Sequence, residues 1–211
     1  MRSNRLPINY NKTAYIILTA TRSQNCNFEI SMNVVRIQQT DSIKYLGVII
    51  DNKLLWKLQI NSLCGKLSQV CGVVCKIRHF ADMKILRLIY FSLLYSHLQY
   101  CITDWGRAYK IVIQPVQVLQ NRILKYMTFS KRTSSANNIF KLLRFLKVSD
   151  LYQFNLEKFM YKFNADILLS SFGNFFSKLP CIHDHGTRQK VSGNYHHKRV
   201  RTDYGKKCCN M

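Results

Sequence analysis

The chain has 211 residues, 47% of them hydrophobic, with only 3 Pro and 8 Gly, which excludes a low-complexity tail and leaves room for one or two compact units with a real core. Its 32 Lys and Arg against 10 Asp and Glu give a formal charge of +22, and a compact body carrying that charge repels itself unless a polyanion answers it. A nucleic acid is the expected partner. The excess is +4 over residues 1–56, +12 over 57–172 and +6 over 173–211, so it is spread through the chain and is not a detachable arm.

The first seven residues are polar and basic, without the apolar stretch of a signal peptide, and an intracellular protein, nuclear or cytoplasmic, is expected. The most apolar window, 85–105, carries Arg87, His97, Gln99 and Asp104, which makes it a poor membrane span and a good buried helix. Of eight Cys, four (Cys64, Cys71, Cys75 and Cys101) sit inside helix-like apolar patterns, where a free thiol behaves as a small hydrophobe, so a reducing compartment is expected.

In chain order, Thr13 to Leu18 is a β-branched and aromatic run that reads as a strand before the polar break Thr21 to Asn25. Phe28 to Met32 and Asn33 to Gln38 read as a hairpin turning about Met32-Asn33. Ile43 to Ile50 reads as a further strand with a bulge at Gly47. Together these predict a small antiparallel sheet over the first quarter.

After Trp56 the period changes. Leu58, Leu63, Leu67, Val70, Val74 and Ile77 predict one long helix. Asp82 is placed to N-cap the next helix, with Ile85, Ile89 and Leu93 in one row and Leu86, Tyr90, Leu94 and Leu98 in the adjacent row, both expected to be buried. A helix starting after Pro115 should turn Val116, Leu119, Ile123 and Met127 inward and Gln120, Asn121, Arg122 and Lys125 toward its other faces. Further helices are expected at 136–146 and 151–169, the last capped by Ser149 or Asp150. From Phe172 onward the period fades into a His- and Lys-rich segment expected to be loop or disorder. The fold class is therefore α+β: a small N-terminal β-sheet, a mainly helical bundle, and a basic irregular tail.

Several words along this order resemble the carboxy-terminal part of a non-LTR retrotransposon reverse transcriptase of the jockey-like kind. Ile8-Asn9-Tyr10-Asn11-Lys12-Thr13 is similar to the family's "lN..KT", Ile43-Lys44-Tyr45-Leu46-Gly47-Val48 to "vkYLGv", and Asp51 to Trp56 to "D..LsW". Tyr90 to Leu94 is similar to "lY.sli", Leu98 to Gly106 to "l.Yg..vWg", Gln120-Asn121-Arg122 to "Qnr", and Ile182 to Arg188 to "vh.ynTR". The chain departs from the pattern at Gln59, where the family has a His three residues after Trp, and at Cys101, where it has Gly.

The resemblance implies residues 1–56 as the end of a polymerase palm, 57–172 as the thumb and the region after it, and 173–211 as a basic tail, cut at both ends. The intact family member is an RNA-directed DNA polymerase that uses Mg held by an Asp-Asp pair and an upstream Asp. The resemblance puts all three before residue 1. No two acidic residues are adjacent in this chain, so it is expected to be inactive by itself and to need no cofactor. Phe80-Ala81-Asp82-Met83 looks like a damaged catalytic box, but it follows the "YLG" and "LLW" words and heads a periodic helix, so Asp82 is read as a cap.

In the family Lys12 would approach the incoming triphosphate, and Tyr45 and Gly47 would belong to the hairpin that steadies the primer end. From the residues alone, Lys12 reads rather as a solvated lysine at a strand start, and Gly47 equally as a bulge. Lys66, Lys76, Arg78, Arg122 and Lys125 fall on outward sides of the helices, where they can bind phosphates by charge without reading sequence. Trp56 and Trp105 are read as core. Cys181, His183, His185, His196, His197, Cys208 and Cys209 offer soft metal ligands, but the paired spacing of a structural zinc site is missing. The expected partner is thus RNA or an RNA/DNA duplex held through its phosphates, with no membrane. The alternatives are a free-standing basic helical RNA-binding protein and a non-functional relic.

Overall fold

The computed structural model describes residues 9, 12–18, 28–32, 35–169 and 172. It is α+β, with short paired strands first and helices after them. Two compact units are present: one runs up to Cys101 and includes Ala108–Arg144, and the other joins Ile102–Arg107 to the chain from Phe145 on.

The strands of the first unit are shorter than the runs that announce them, and they form three separate two-stranded pairings. β1 (Ala14–Tyr15) pairs with β4 (Gln38–Gln39) in parallel, β2 (Ser31–Met32) with β3 (Val35–Arg36) antiparallel, and β5 (Ser42–Tyr45) with β6 (Val48–Asp51) antiparallel. The expected single antiparallel sheet is therefore corrected. The Phe28–Gln38 hairpin forms, but its register, Met32 opposite Val35, centres the turn one step later than expected. The Ile43–Ile50 strand is also corrected to a hairpin. Tyr45 pairs with Val48 across Leu46 and Gly47, whose φ angles of 46° and 85° are both positive, as the tight turn that matches strand twist requires. Gly47 serves the turn and no bulge; a Cβ there would meet nothing closer than 3.9 Å, so only its φ asks for glycine.

Asp51 ends this hairpin and starts the helical region. Its Oδ1 accepts from the Lys53 and Leu55 backbone N–H groups at 3.2 and 2.9 Å, and its Oδ2 accepts from Trp56 N at 2.8 Å. One carboxylate thus holds a link in which Leu54 and Trp56 both take positive φ. α1 (Lys57–Ile77) follows, burying Ile60, Leu63, Leu67, Val70 and Val74 at alternating steps of three and four, with Cys71 beside them. Leu58, expected inside, is exposed, because Ile60 takes the inward position on this turn. Gln59, at the place where the resembled family has His, is buried and accepts from Ile49 N at 2.9 Å, tying the hairpin to the helix.

Asp82 caps the next helix, its Oδ1 accepting from Ile85 N at 2.9 Å. α2 (Met83–Ile89) runs through a π turn (Tyr90–Tyr95) into α3 (Ser96–Gln99). The row Leu86, Tyr90, Leu94 and Leu98 is fully buried, whereas Ile85 and Leu93 of the adjacent row are exposed, contrary to the expectation for that row. A repeat of exactly four residues suits a helix with one widened turn, and only one row can follow it.

α5 (Lys110–Met127) packs along α1 and begins five residues before Pro115. Pro115 removes the donor that would serve the Ile111 carbonyl, a defect tolerable beside water at a residue as exposed as Ile111. Val116, Ile123 and Met127 are buried as the helical spacing predicts, and Leu124 is buried beside them, but Leu119, expected inward, is only half-buried and Gln120, expected outward, is buried completely. Its Nε2 donates to the Tyr90 hydroxyl at 2.9 Å, and its Oε1 accepts from Gln117 at 3.0 Å. Polar atoms can be buried when paired in this way. α6 (Ala136–Leu143) is capped by Ser135, whose hydroxyl accepts from Asn137 N at 3.3 Å, and stops three residues earlier than expected, where Arg144 turns left-handed.

In the second unit, α4 (Ile102–Trp105) packs against α7 (Val148–Asn164), and Ile102, Trp105, Val148 and Leu151 are buried. α7 starts at Val148, so Ser149 and Asp150 lie inside its first turn and do not cap it. Trp56 and Trp105 are both core, as read from sequence. Cys64, Cys71, Cys75 and Cys101 are free thiols, and burial pushes the Cys64 and Cys71 groups up. No helix among the described residues is long and apolar enough to cross a membrane. The basic tail and the soft-ligand residues from Cys181 to Cys209 lie outside the described residues.

Candidate nucleic-acid interface

Three of the basic residues singled out from sequence meet in one place. Arg78, at the end of α1, and Arg122 and Lys125, on the last turns of α5, line an open groove of about 430 Å³ together with Val118, Asn121, Tyr126, Ser130 and Arg132. The α1–α5 packing brings them together, since it sets the end of one long helix beside the end of the other.

The end of α5 is built in a specific way. Phe129 takes φ 53°, its N–H reaches Tyr126 O at 3.4 Å, and Ser130 N donates to Lys125 O at 3.0 Å. These are the two crossed bonds with which a helix closes when the residue past its end turns left-handed, a position normally filled by glycine. The chain then doubles back, and Lys125 Nζ donates to Arg132 O at 2.6 Å, which carries Arg132 to the groove. Thr128 helps hold the turn, its hydroxyl donating to Leu124 O at 3.0 Å.

Arg78 is held by aromatic faces. Its guanidinium carbon lies 5.3 Å from the centroid of Tyr126 and 4.9 Å from that of Phe129, and its Nε donates to His79 Nε2 at 3.2 Å. His79 in turn meets Phe129 edge to face, centroids 5.5 Å apart. Arg122 stands near enough to Cys71 for its charge to offset part of the rise that burial imposes on that thiol.

No acidic residue lines the groove. The one ion pair among the described residues joins Arg36 and Glu29 at 2.6 Å, on an exposed strand pair. Four cations around one opening repel one another, and an anion entering it removes that repulsion. The remaining predicted residues do not join them. Lys66 and Lys76 are exposed elsewhere on α1, and Lys12 is exposed in a short turn before β1. Tyr45 and Gly47 sit at the exposed β5–β6 tip, where the Tyr100 hydroxyl donates to Leu46 O. Arg132 and Tyr126, which line the groove, and Phe129, which lies against Arg78, are residues that sequence reasoning passed over. The available signal was the Phe129-Ser130-Lys131-Arg132 word just past a helix end.

The described acids do not fit a divalent-ion site. Asp51 and Asp82 use their carboxylates on backbone N–H groups, Asp41 accepts from Asn52 Nδ2 at 3.0 Å, Glu29 pairs with Arg36, and Glu157 accepts from Gln153. No three of the described His, Cys, Asp and Glu side chains gather where they could share an ion. No protein-family model, curated protein or solved structure matches the chain.

Proposed function

We propose that the chain binds nucleic acid through phosphates at the groove of Arg78, Arg122, Lys125 and Arg132, as the thumb portion of a retroelement RNA-directed DNA polymerase would hold RNA or an RNA/DNA duplex. It does not build the polymer itself. The supporting observation is the groove: four basic side chains from two helices and a folded-back turn converge with no lining acid. Together with the net charge of +22 this favours a polyanion over any small neutral ligand. The "YLG", "D..LsW" and "Qnr" words support the polymerase descent, and the dispersed acids support the lack of a metal-dependent step by this chain.

Fluorescence anisotropy with labelled RNA and with an RNA/DNA hybrid tests the reading. Four phosphate contacts predict that log affinity falls with log salt at a slope of about −3 to −4. Replacing Arg78, Arg122 and Lys125 together with Glu should abolish most of the affinity for every sequence, whereas Lys66→Glu with Lys76→Glu should cost far less. Affinity that ignores both salt and the triple replacement would overturn the proposal. Primer extension with Mg or Mn should give no incorporation; activity of the purified chain would refute the non-catalytic part.

A further inference from the structure

We propose that the groove ends in a base-stacking platform, Phe129 with His79, so that the strand it holds includes unpaired bases. The inference rests on the phosphate-binding reading and specifies its ligand further.

Phe129 is expensive where it stands. A bulky side chain at φ 53° is unfavourable by roughly 1–2 kcal/mol, and the helix-end geometry it occupies is one that glycine fills without strain. Core packing does not compensate, because Phe129 is 58% exposed. The ring is instead fixed from its surroundings: the Arg78 guanidinium lies over it, the His79 ring abuts it edge to face, and the crossed bonds of the turn set its backbone. The result is a rigid, half-open aromatic surface next to four phosphate-binding cations. Phe80, 93% exposed, follows directly after His79 in the chain.

Cations that track a backbone beside aromatic rings that accept bases are the two parts of a single-strand binding site. In a duplex the base faces are already stacked and only phosphates are offered, so the Arg and Lys side chains suffice and the ring has no task. An unpaired strand offers both. Arg78, already stacked on Phe129 and Tyr126, can bind a phosphate while the ring it covers takes the neighbouring base.

The test compares three labelled ligands of equal length on the full chain: a single-stranded pyrimidine RNA, the same strand with abasic sites, and a blunt RNA/DNA hybrid. Phe129→Gly removes the ring and suits the backbone, so the protein stays folded and melts no lower than the parent. This variant should bind the single strand about tenfold more weakly, the scale of one lost base stack, and bind the hybrid and the abasic strand unchanged. Phe129→Tyr should restore single-strand affinity. If Phe129→Gly binds the single strand as the parent does, or weakens all three ligands alike, the platform is refuted while the salt-dependent phosphate reading stands. Loss of salt dependence in the parent would instead overturn the phosphate reading itself.

Discussion

Substituting Ala for Gly has opposite consequences at two places in this chain, and the local packing sets the sign of each. A Cβ built on Gly106 would lie 2.4 Å from the Ile102 carbonyl oxygen and 2.6 Å from Tyr152 Cδ2 on α7, against ordinary contacts beginning near 3.4 Å. The first obstacle is backbone, and it is the same carbonyl that accepts Gly106 N at 2.8 Å, so it cannot retreat by the required distance of about 1 Å without breaking that bond. Overpacking of this kind costs about 1–3 kcal/mol, with the upper end expected where main chain must move. At Gly72, exposed in the middle of α1, a Cβ would meet nothing within 4 Å, and replacing a helical glycine with Ala gains about 1 kcal/mol. Urea unfolding followed by circular dichroism and tryptophan emission reads both. With a slope of about 2 kcal/mol per molar, Gly106→Ala should lower the midpoint by about 1.5 M and Gly72→Ala should raise it by about 0.5 M. If Gly106→Ala leaves the midpoint unmoved, the close approach of α7 to the Trp105-Gly106 corner is refuted. If Gly72→Ala lowers it, that face of α1 is covered in solution.

Two further outcomes follow from buried and capping groups. Burial pushes the Tyr90 hydroxyl up to about 12 despite the Gln120 hydrogen bond that favours the phenolate, whereas in the unfolded chain it titrates near 10. Above pH 10 the unfolded state loses this proton first, so stability falls as pH rises from about 10 to 12, by about 2–3 kcal/mol from this group. Tyr90→Phe should be less stable at neutral pH, because Gln120 Nε2 loses its acceptor, yet show a shallower decline in that window when urea midpoints are compared across pH. Asp51→Ala removes the acceptor of three backbone N–H groups and should cost about 1–3 kcal/mol, with early amide exchange at Leu55 and Trp56; protection unchanged at those amides would show that the link holds without the carboxylate.

The helices were legible because buried Leu, Ile and Val recur at helical spacing over many residues, and Asp82 announced its own helix. The errors have local causes. Leu46 and Gly47 form a turn that needs positive φ at both positions, and a leucine in the first hid it inside an apparent strand. Pro115 looked like a helix start because proline favours the first turn, whereas here the helix reaches five residues further back. Gln120 was turned outward by its polarity, and only the distant Tyr90 hydroxyl makes its burial sensible. Of the candidate interface, charge and helical phase were enough to find Arg78, Arg122 and Lys125. Arg132 and Phe129 depend on how the chain reverses after α5, which no periodicity encodes.

The π turn at Tyr90–Tyr95 makes spacing, more than composition, the invariant of that segment. In a regular helix, side chains four apart drift by about 40° at each step, so Leu98 would have rotated about 120° away from Leu86. The widened turn absorbs this angular error and keeps both buried. Tightening it into an ordinary helix of the same length would swing everything downstream, Leu98 and the Tyr100 contact with the β5–β6 tip included, about 120° out of phase with the layer beneath, whereas losing one residue as well would bring the phase back to within about 20°.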